Sequence, residues 1–204
     1  MLHCMPKHSD ATTPQGAVKR ARRVGSKLQS DAGDLRVASF PPQMGNDCRL
    51  LILGTVPSLR SLAERQSYAH PQNLFWRFMG EMFDAGFDRP YAERIARLHA
   101  RGIGIWDVLK QCERRGSLDS NIVVASEIGN DIPGLLTQYP SIAAIALNGS
   151  KAQQAFRRHV LPELKRNGSR VTLIELPSTS PANASISVEA KRERWHLLQD
   201  WARN

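Results

Sequence analysis

Short continuous apolar runs alternate along this chain with longer stretches in which apolar residues recur at helical spacing. The run at residues 49–53 predicts a strand that is buried on both faces of a parallel sheet. Residues 141–147 predict a second buried strand, and residues 171–176 predict a last strand. The helical spacing predicts helices over residues 74–83, 91–98, 132–139, 151 to about 161, and 187–202. Residues 102–109 are a candidate for a strand that leads into a helix.

The order of these elements predicts the fold class. Strands that alternate with helices favour right-handed crossovers and a parallel sheet between helical layers. We therefore predict an α/β fold with a central, mainly parallel sheet. In such a sheet, ligands bind beyond the carboxyl ends of the strands, so the loops that follow the strands are the candidate functional segments.

The first 36 residues differ from the rest of the chain. They lack hydrophobic periodicity and include the basic run Lys-Arg-Ala-Arg-Arg at residues 19–23. We predict a disordered basic arm over residues 1–36 and a folded domain over residues 37–204. The arm could contact phosphates without sequence preference or could be a solvated tail, and the sequence leaves both interpretations open.

Charge indicates a polyanionic partner. The chain has 28 Lys and Arg against 19 Asp and Glu, a net charge of +9, and residues 35–204 alone contribute +6. A basic folded body favours nucleic acid through counterion release and electrostatic steering.

No apolar run approaches the roughly 20 residues of a membrane span, so we expect no membrane association. The three cysteines suit neither a disulfide framework nor a Cys-x-x-Cys site, which predicts a reducing, cytoplasmic compartment.

Four segments have unusual chemistry for loops. Three follow predicted strands, at residues 54–58 (Gly-Thr-Val-Pro-Ser), 148–150 (Asn-Gly-Ser) and 177–184 (Pro-Ser-Thr-Ser-Pro-Ala-Asn-Ala), and the fourth is residues 68–76 (Tyr-Ala-His-Pro-Gln-Asn-Leu-Phe-Trp). Small residues, hydroxyls and backbone amides suit close approach to phosphate. An aromatic ring near an Asn suits recognition of a planar base.

Residues 54–58, 68–76 and 178–183 contribute to a resemblance that also includes residues 106–109 (Trp-Asp-Val-Leu), 112–114 (Cys-Glu-Arg) and 116–119 (Gly-Ser-Leu-Asp). Together they resemble the hypoxanthine (deoxyinosine) DNA glycosylase branch of the uracil-DNA glycosylase superfamily. The resemblance spans about residues 40–203. It implies a three-layer α/β/α domain that flips a deaminated base out of double-stranded DNA and hydrolyses its N-glycosidic bond in base-excision repair. It implies hypoxanthine as the preferred base, with uracil as a second substrate. It also implies a monomer, active in the cytoplasm and at the nucleoid when bound to DNA, that needs no metal or organic cofactor.

The resemblance assigns the catalytic role to Asn73. Most members of the superfamily carry Asp, Asn or Glu two residues after the glycine of the first loop, where this chain has Val56. The amide of Asn73 does not titrate near neutral pH, so it can hold water or the flipped base by hydrogen bonds but cannot act as a general base. Asn73 can also cap the helix that follows it. Asp107 and Asp119 are the alternative candidates for a general base, or are turn and cap residues.

The resemblance also implies two groups of binding residues. The base-binding group, in which Tyr68 stacks on the flipped base, comprises Gly54, Thr55, Pro57, Ser58, Tyr68, His70 and Asn148. The group that contacts phosphate and carries the wedge near Ala182 or Asn183 comprises Ser178, Thr179, Ser180, Pro181, Ala182 and Asn183. Ser178 stands where related enzymes have His or Asn, so stabilisation of the leaving base by a cationic His is not expected.

Some superfamily members bind an iron–sulfur cluster through four cysteines, whereas this chain has three, so we expect no cluster and no other metal site.

Two alternatives to an active enzyme remain. Because Val56 and Ser178 replace residues that catalyse in relatives, the chain could be a catalytically silent DNA- or nucleotide-binding module. A basic interaction scaffold is the other alternative, but it gives the four loops no purpose.

Overall fold

The computed structural model describes residues 36–203, which form two sheets. The predicted arm lies outside the described residues except for Arg36, which begins the first strand. The strands are β1 (Arg36–Ala38), β2 (Leu50–Gly54), β3 (Ile103–Asp107), β4 (Leu109–Glu113), β5 (Ile128–Gly129), β6 (Ala144–Asn148) and β7 (Thr172–Leu176). The larger sheet has the order β3-β2-β6-β7, and its three strand pairs are parallel.

Helices fill the connections between these strands. They are α1 (Leu59–Glu64), α2 (Phe75–Phe83), α3 (Tyr91–Ala100), α4 (Ile132–Gln138), α5 (Ser150–His159), α6 (Leu161–Arg166) and α7 (Val188–His196), which continues into a 3-10 helix (Leu197–Trp201). In the described part of the chain, no helix is both long and apolar enough to cross a membrane.

Alternate residues of β2 belong to two separate hydrophobic cores. Leu51 and Leu53 pack with buried residues of α4, α5 and α6. Leu50 and Ile52 pack on the opposite face of the sheet with buried residues of α2, α3 and α7. Successive side chains of a strand point to opposite faces, so a strand that is apolar throughout requires helices on both sides. The predicted α/β/α fold with a parallel central sheet is confirmed.

The prediction of a helix at the end of residues 102–109 is wrong. The chain stays extended after β3 because the Val108 and Leu109 amides donate to the Gly54 and Thr55 carbonyls, at 2.9 and 3.0 Å. It then continues as β4, which pairs antiparallel with β1 and β5 in a second, three-stranded sheet. Strands from distant parts of the chain supply backbone partners to β4, and no local pattern indicates them.

Two predicted helices have different boundaries in the structure. The helix predicted from residue 151 to about 161 ends at His159, and Pro162 lies in the first turn of the separate helix α6. Proline is favoured in a first turn because it has no N–H to satisfy there. The final helix begins after Ser187, whose side chain accepts a hydrogen bond from the Ala190 amide at 3.1 Å, as an N-cap residue does.

Candidate functional site

A cleft of about 540 Å³ lies at the carboxyl ends of the parallel strands. This volume falls among pockets that bind small organic ligands, about 300–1,000 Å³. The loops after β2, β6 and β7 and the segment between α1 and α2 all contribute to it. Every residue that the sequence analysis proposed for the site lines this cleft: Gly54, Thr55, Pro57, Ser58, Tyr68, His70, Asn73, Asn148, Ser178, Thr179, Ser180, Pro181, Ala182 and Asn183.

Three residues converge where β2 ends. A Cβ atom on Gly54 would lie 2.6 Å from Asp107 Oδ1 and 2.9 Å from the Tyr68 hydroxyl. Both distances are shorter than real Cβ contacts, so any side chain at this position would force the Asp107 carboxylate and the Tyr68 hydroxyl to move. The absence of a side chain lets a carboxylate and a phenol lie together at the base of the cleft.

The rest of the loop after β2 is held by neighbouring groups. Val56 is buried and belongs to one of the two cores, so it presents no polar atom to a ligand. The Ser58 hydroxyl accepts a hydrogen bond from the Ser61 amide at 3.1 Å and caps α1. The Pro57 carbonyl accepts a hydrogen bond from the buried Arg114 side chain at 2.6 Å. The loop is therefore a fixed wall of the cleft.

Tyr68 lies in the left-handed backbone region, with φ of 57°. One face of its ring stacks on Phe75, with ring centroids 3.9 Å apart and an interplanar angle of 17°. A base that stacks on Tyr68 would therefore use the opposite face of the ring. Burial raises the pKa of the Tyr68 hydroxyl above its ordinary value, and the nearby Asp107 charge adds to the effect. The hydroxyl therefore stays protonated.

Among the described residues, one polar atom of the Asn73 side chain has a hydrogen-bond partner and the other has none. Its Oδ1 accepts a hydrogen bond from the Phe75 amide at 3.0 Å, next to the start of α2. Its Nδ2 has no partner among residues 36–203 and is left to donate to a ligand. His70 Nδ1 accepts a hydrogen bond from the Gln72 amide at 3.2 Å, which places the proton of the neutral ring on Nε2.

The loop after β7 is anchored at both ends. Asn148 Nδ2 donates to Thr179 Oγ1 at 2.9 Å, and the Thr179 amide donates back to Asn148 Oδ1 at 3.0 Å. Both polar atoms of the Asn148 side chain are thus engaged by the protein. Farther along, the buried Lys191 ammonium donates to the Asn183 carbonyl. Between these anchors, Pro181 and Ala182 are exposed to solvent.

Two carboxylates lie in the cleft beside these loops. Burial, with a smaller contribution from the Asp119 charge, raises the pKa of Asp107 to about 7 against the opposing charge of the Arg114 guanidinium. Burial also raises the pKa of Asp119, against a hydrogen bond from Thr55 and the charge of Arg114. Asp107 makes no side-chain hydrogen bond within the described residues, so its carboxylate is available to a ligand or a water molecule.

The sequence analysis did not assign a role to Arg114 or Phe75. Arg114 donates to the Gly116 carbonyl at 2.9 Å and to the Pro57 carbonyl, and so connects two walls of the cleft. Phe75 supports Tyr68 from behind. Both residues lie in segments on which the resemblance rests, at residues 112–114 and 68–76. The resemblance was therefore the signal in the sequence that could have identified them.

In the part of the chain described here, no three His, Cys, Asp or Glu side chains are grouped to hold a metal ion.

A parallel sheet between helical layers, with a cleft beyond the carboxyl ends of its strands, defines a class of α/β proteins that bind ligands at that edge. The family model described as the uracil DNA glycosylase superfamily matches residues 41–202. The chain belongs to the uracil DNA glycosylase superfamily.

The sequence of this chain aligns with nearly the whole length of two curated relatives. A protein named hypoxanthine DNA glycosylase from Methanosarcina acetivorans is 35% identical over 160 residues, which are 78% of this chain and 95% of that protein. A protein of the same name from Methanosarcina barkeri is 30% identical over 162 residues, which are 79% of this chain and 96% of that protein.

A solved structure shows the same fold. The solution NMR structure of a candidate uracil DNA glycosylase from Methanosarcina acetivorans superimposes with a TM-score of 0.66. The two chains are 32% identical, and the match covers 80% of this chain and 96% of the other.

Proposed function

We propose that this protein is a monofunctional DNA glycosylase that flips hypoxanthine, and with lower preference uracil, out of duplex DNA and hydrolyses its N-glycosidic bond. The observation that carries this proposal is the cleft itself. It brings a free amide donor on Asn73, a free carboxylate on Asp107 and the ring of Tyr68 together in a chain related to proteins named hypoxanthine DNA glycosylase. The product would be an abasic site, which base-excision repair processes further.

The first step is extrusion of the damaged base. Unpairing costs a few kcal/mol, and least for a base that pairs weakly, so weak pairing itself contributes to selectivity. In the cleft, the face of Tyr68 opposite Phe75 would stack on the base, an interaction of about 1–3 kcal/mol. Phe75 keeps the Tyr68 ring in place, so the stacking face is formed before the base arrives.

In the second step, the bond between C1′ of the sugar and the base nitrogen breaks. The bonding electrons leave with the base, the sugar becomes an oxocarbenium ion, and water adds its hydroxyl to C1′ while its proton neutralises the base. Asn73 Nδ2 can donate a hydrogen bond to the base as it gains charge, or fix the attacking water. The Oδ1 bond to the Phe75 amide sets the direction of that donor.

Asp107 is a second candidate for activating the water. Its carboxylate is free of protein hydrogen bonds among residues 36–203, and its pKa is raised to about 7. A proton acceptor works best when its pKa is near the working pH. Once ionised, the same carboxylate would also stabilise the positive charge on the sugar.

The loop of residues 178–183 would contact the DNA backbone. Ser178 and Ser180 present hydroxyls, and the loop is rigid because Asn148 and Lys191 anchor it.

The proposed reaction uses water and protein groups, without a cofactor, and the partner is double-stranded DNA with a deaminated base. We infer a monomer that acts in the cytoplasm and, on DNA, at the nucleoid, in keeping with the free, buried thiols of Cys48 and Cys112.

Two substitutions at Asn73 test the proposal. Asn73→Asp keeps the oxygen that accepts from the Phe75 amide but loses the Nδ2 donor, whereas Asn73→Ala loses both. Single-turnover cleavage would be measured on duplexes that carry one hypoxanthine or one uracil, followed by alkaline strand scission. We expect both variants to lose about 100-fold in rate, since one missing donor at a developing anion costs this much. Only Asn73→Ala should also lose stability, by about 1 kcal/mol, as a lost cap does.

The outcomes separate the alternatives. Retained cleavage in Asn73→Ala would keep the enzyme and move catalysis to Asp107, Asp119 or the serine loop. Absence of cleavage by the wild type, despite tight salt-sensitive binding of DNA, would identify a silent binding module. Absence of both cleavage and DNA binding would favour a scaffold.

A further inference from the structure

An uncommon backbone conformation carries the ring of Tyr68. Its φ of 57° lies in the left-handed region, which bulky side chains rarely adopt. Such a conformation persists only where the surrounding structure fixes it. On one side of Tyr68, the Ala69 amide donates to the Ser61 hydroxyl at 3.3 Å. The residue on the other side, Ser67, lines the cleft and is held more extensively.

Every polar atom of Ser67 has a partner from another part of the fold. Its amide donates to the Tyr91 hydroxyl at 2.9 Å, and its carbonyl accepts from Trp76 Nε1 at 2.9 Å. Its hydroxyl accepts from Gln43 Nε2 at 3.0 Å. The Tyr91 hydroxyl in turn donates to Gln43 Oε1 at 2.9 Å, which closes a circuit of three hydrogen bonds. We refer to Gln43 and Tyr91 as the Ser67 clamp.

The Ser67 clamp connects the cleft to the main sheet and to α3. The Gln43 amide and carbonyl exchange hydrogen bonds with Ile105 of β3, both at 3.0 Å. Tyr91 is the first residue of α3. Each clamp residue lies 24 positions from Ser67 in the sequence, and neither lines the cleft. Groups outside the cleft therefore fix the backbone next to the Tyr68 ring.

We propose that Gln43 and Tyr91 are positioning residues: through Ser67 they hold the Tyr68 ring where the flipped base stacks on it. The inference rests on the proposed function, because the ring needs a base to receive. Groups that act on a substrate must be held in place by the residues behind them, and small displacements slow a reaction strongly. Phe75 supports the ring from one face, whereas the clamp fixes the backbone from which the ring extends.

The test is a double-mutant cycle between Tyr91 and Tyr68. Tyr91→Phe removes the hydroxyl and keeps the ring that packs edge-on against Trp76, with centroids 5.7 Å apart. Single-turnover cleavage of a duplex with hypoxanthine opposite cytosine would be measured for the wild type, both single variants and the double variant. We expect Tyr91→Phe to cleave about tenfold more slowly, because the released backbone displaces the ring. In the Tyr68→Ala background, the same substitution should change the rate by less than about twofold, since no ring remains to be positioned.

A second readout follows the ring in the free protein. The rings of Tyr68 and Phe75 stack 3.9 Å apart, so the NMR signals of these two rings, when isotope-labelled, depend on their mutual position. Tyr91→Phe should shift both signals. Gln43→Ala removes the other half of the clamp and should shift them as well, with a similar loss of cleavage.

Ser141→Ala is the matched control. The Ser141 hydroxyl donates to the Cys48 carbonyl at 2.7 Å, before the amino end of β6 and so at the edge of the sheet opposite the cleft. Its removal also costs the protein a hydrogen bond between distant segments, but cleavage and the ring signals should stay as in the wild type.

The outcomes separate the clamp from a general loss of stability. Wild-type cleavage by Tyr91→Phe would overturn the proposal, as would unshifted ring signals. An equal loss of cleavage with and without the Tyr68 ring would also overturn it, because Tyr91 would then act elsewhere. If the wild type cleaves neither hypoxanthine nor uracil from a duplex, the proposed function fails, and the NMR signals still decide whether the clamp sets the position of the ring.

Discussion

Asn148 and Thr179 exchange two hydrogen bonds, at 2.9 and 3.0 Å, across the gap between the ends of β6 and β7. The Thr179 side chain is fully buried, and its carbonyl accepts a further hydrogen bond from the Leu74 amide at 3.0 Å. One side-chain pair thus connects the loop after β7 to the sheet and to the start of α2. We therefore propose that Asn148 acts on a ligand through the position of this loop.

Replacing Asn148 by Ala should disconnect the loop. The buried Thr179 hydroxyl and amide would lose their partners, which costs about 2 kcal/mol of stability. We expect a loss of about 100-fold in single-turnover cleavage, because small displacements of positioning groups have effects of this size. Thr179→Ser keeps the hydroxyl and should retain most of the activity. Thermal unfolding and cleavage of both variants would check this, and wild-type cleavage by Asn148→Ala would contradict it.

Gly54→Ala should disturb the base of the cleft. The new Cβ would meet Asp107 Oδ1 at 2.6 Å and the Tyr68 hydroxyl at 2.9 Å, so both groups must move. We expect about 1–3 kcal/mol of destabilisation from overpacking and about 100-fold slower cleavage from misplacement. Gly168→Ala, where no heavy atom lies within 4 Å, is the control; its positive φ costs about 1 kcal/mol without affecting cleavage. Equal cleavage by the two variants would contradict the geometry.

Asp107 should give both stability and activity a pH dependence. Burial raises its pKa from 3.8 to about 7, so between these values the folded state holds a proton that the unfolded chain releases. Stability contributed by this group therefore falls as the pH rises from about 4 to about 7. Asp107→Asn removes the titration, so its Tm should exceed that of the wild type at pH 8 and match it near pH 4. The comparison requires thermal unfolding at both pH values.

If ionised Asp107 assists the reaction, cleavage by the wild type should increase with pH up to about 7 and then level off. Asp107→Asn should be slower and show no such increase. Single-turnover rates between pH 5 and 9 decide the point. A wild-type rate that does not change with pH through this range would show that Asp107 takes no part in the reaction. Asn73 would then be the remaining candidate.

Glu127 should control acid stability outside the loops of the cleft. Its side chain is fully buried and lies 2.9 Å from His159 Nε2 and 3.0 Å from Lys151 Nζ, and it also pairs with Arg158. Burial alone would raise the pKa of Glu127, but these hydrogen bonds outweigh it and hold the pKa below 4.5. The stability it contributes is present above that value and is lost as the pH falls through the lowered pKa.

Glu127→Gln should therefore destabilise the protein by about 2 kcal/mol at pH 7, since Lys151 and Arg158 lose the buried carboxylate that they pair with. Near pH 3 the difference from the wild type should shrink. Glu175→Gln is the control, because Glu175 pairs with Arg157 on the surface and such pairs contribute about 0–1 kcal/mol. Chemical denaturation at the two pH values measures both variants. A difference for Glu127→Gln that does not change with pH would contradict the assignment.

The sequence by itself determined the main sheet and the location of the cleft. Residues 49–53 and 141–147 are apolar at nearly every position, a pattern that only a strand covered on both faces can bury. Residues 171–176 include Thr172 and Glu175, and they form the edge strand β7, which is largely exposed. Carboxyl ends of parallel strands share one edge, so the loops after them had to meet there. For this reason Gly54, Asn148 and Ser178 were expected at one edge of the sheet, whereas Asn73 was assigned to the site by the resemblance to the glycosylases.

Tertiary structure decided what depends on distant partners. The second sheet joins β1 and β5, which have three and two residues, too few to show a periodic pattern. The pKa of Asp107 depends on burial by segments far from it in sequence, and the amide of Asn148 is engaged by Thr179, 31 residues later. Hydrophobic periodicity reports which residues are buried, whereas hydrogen-bond partners and local charge are set only when separate segments come together.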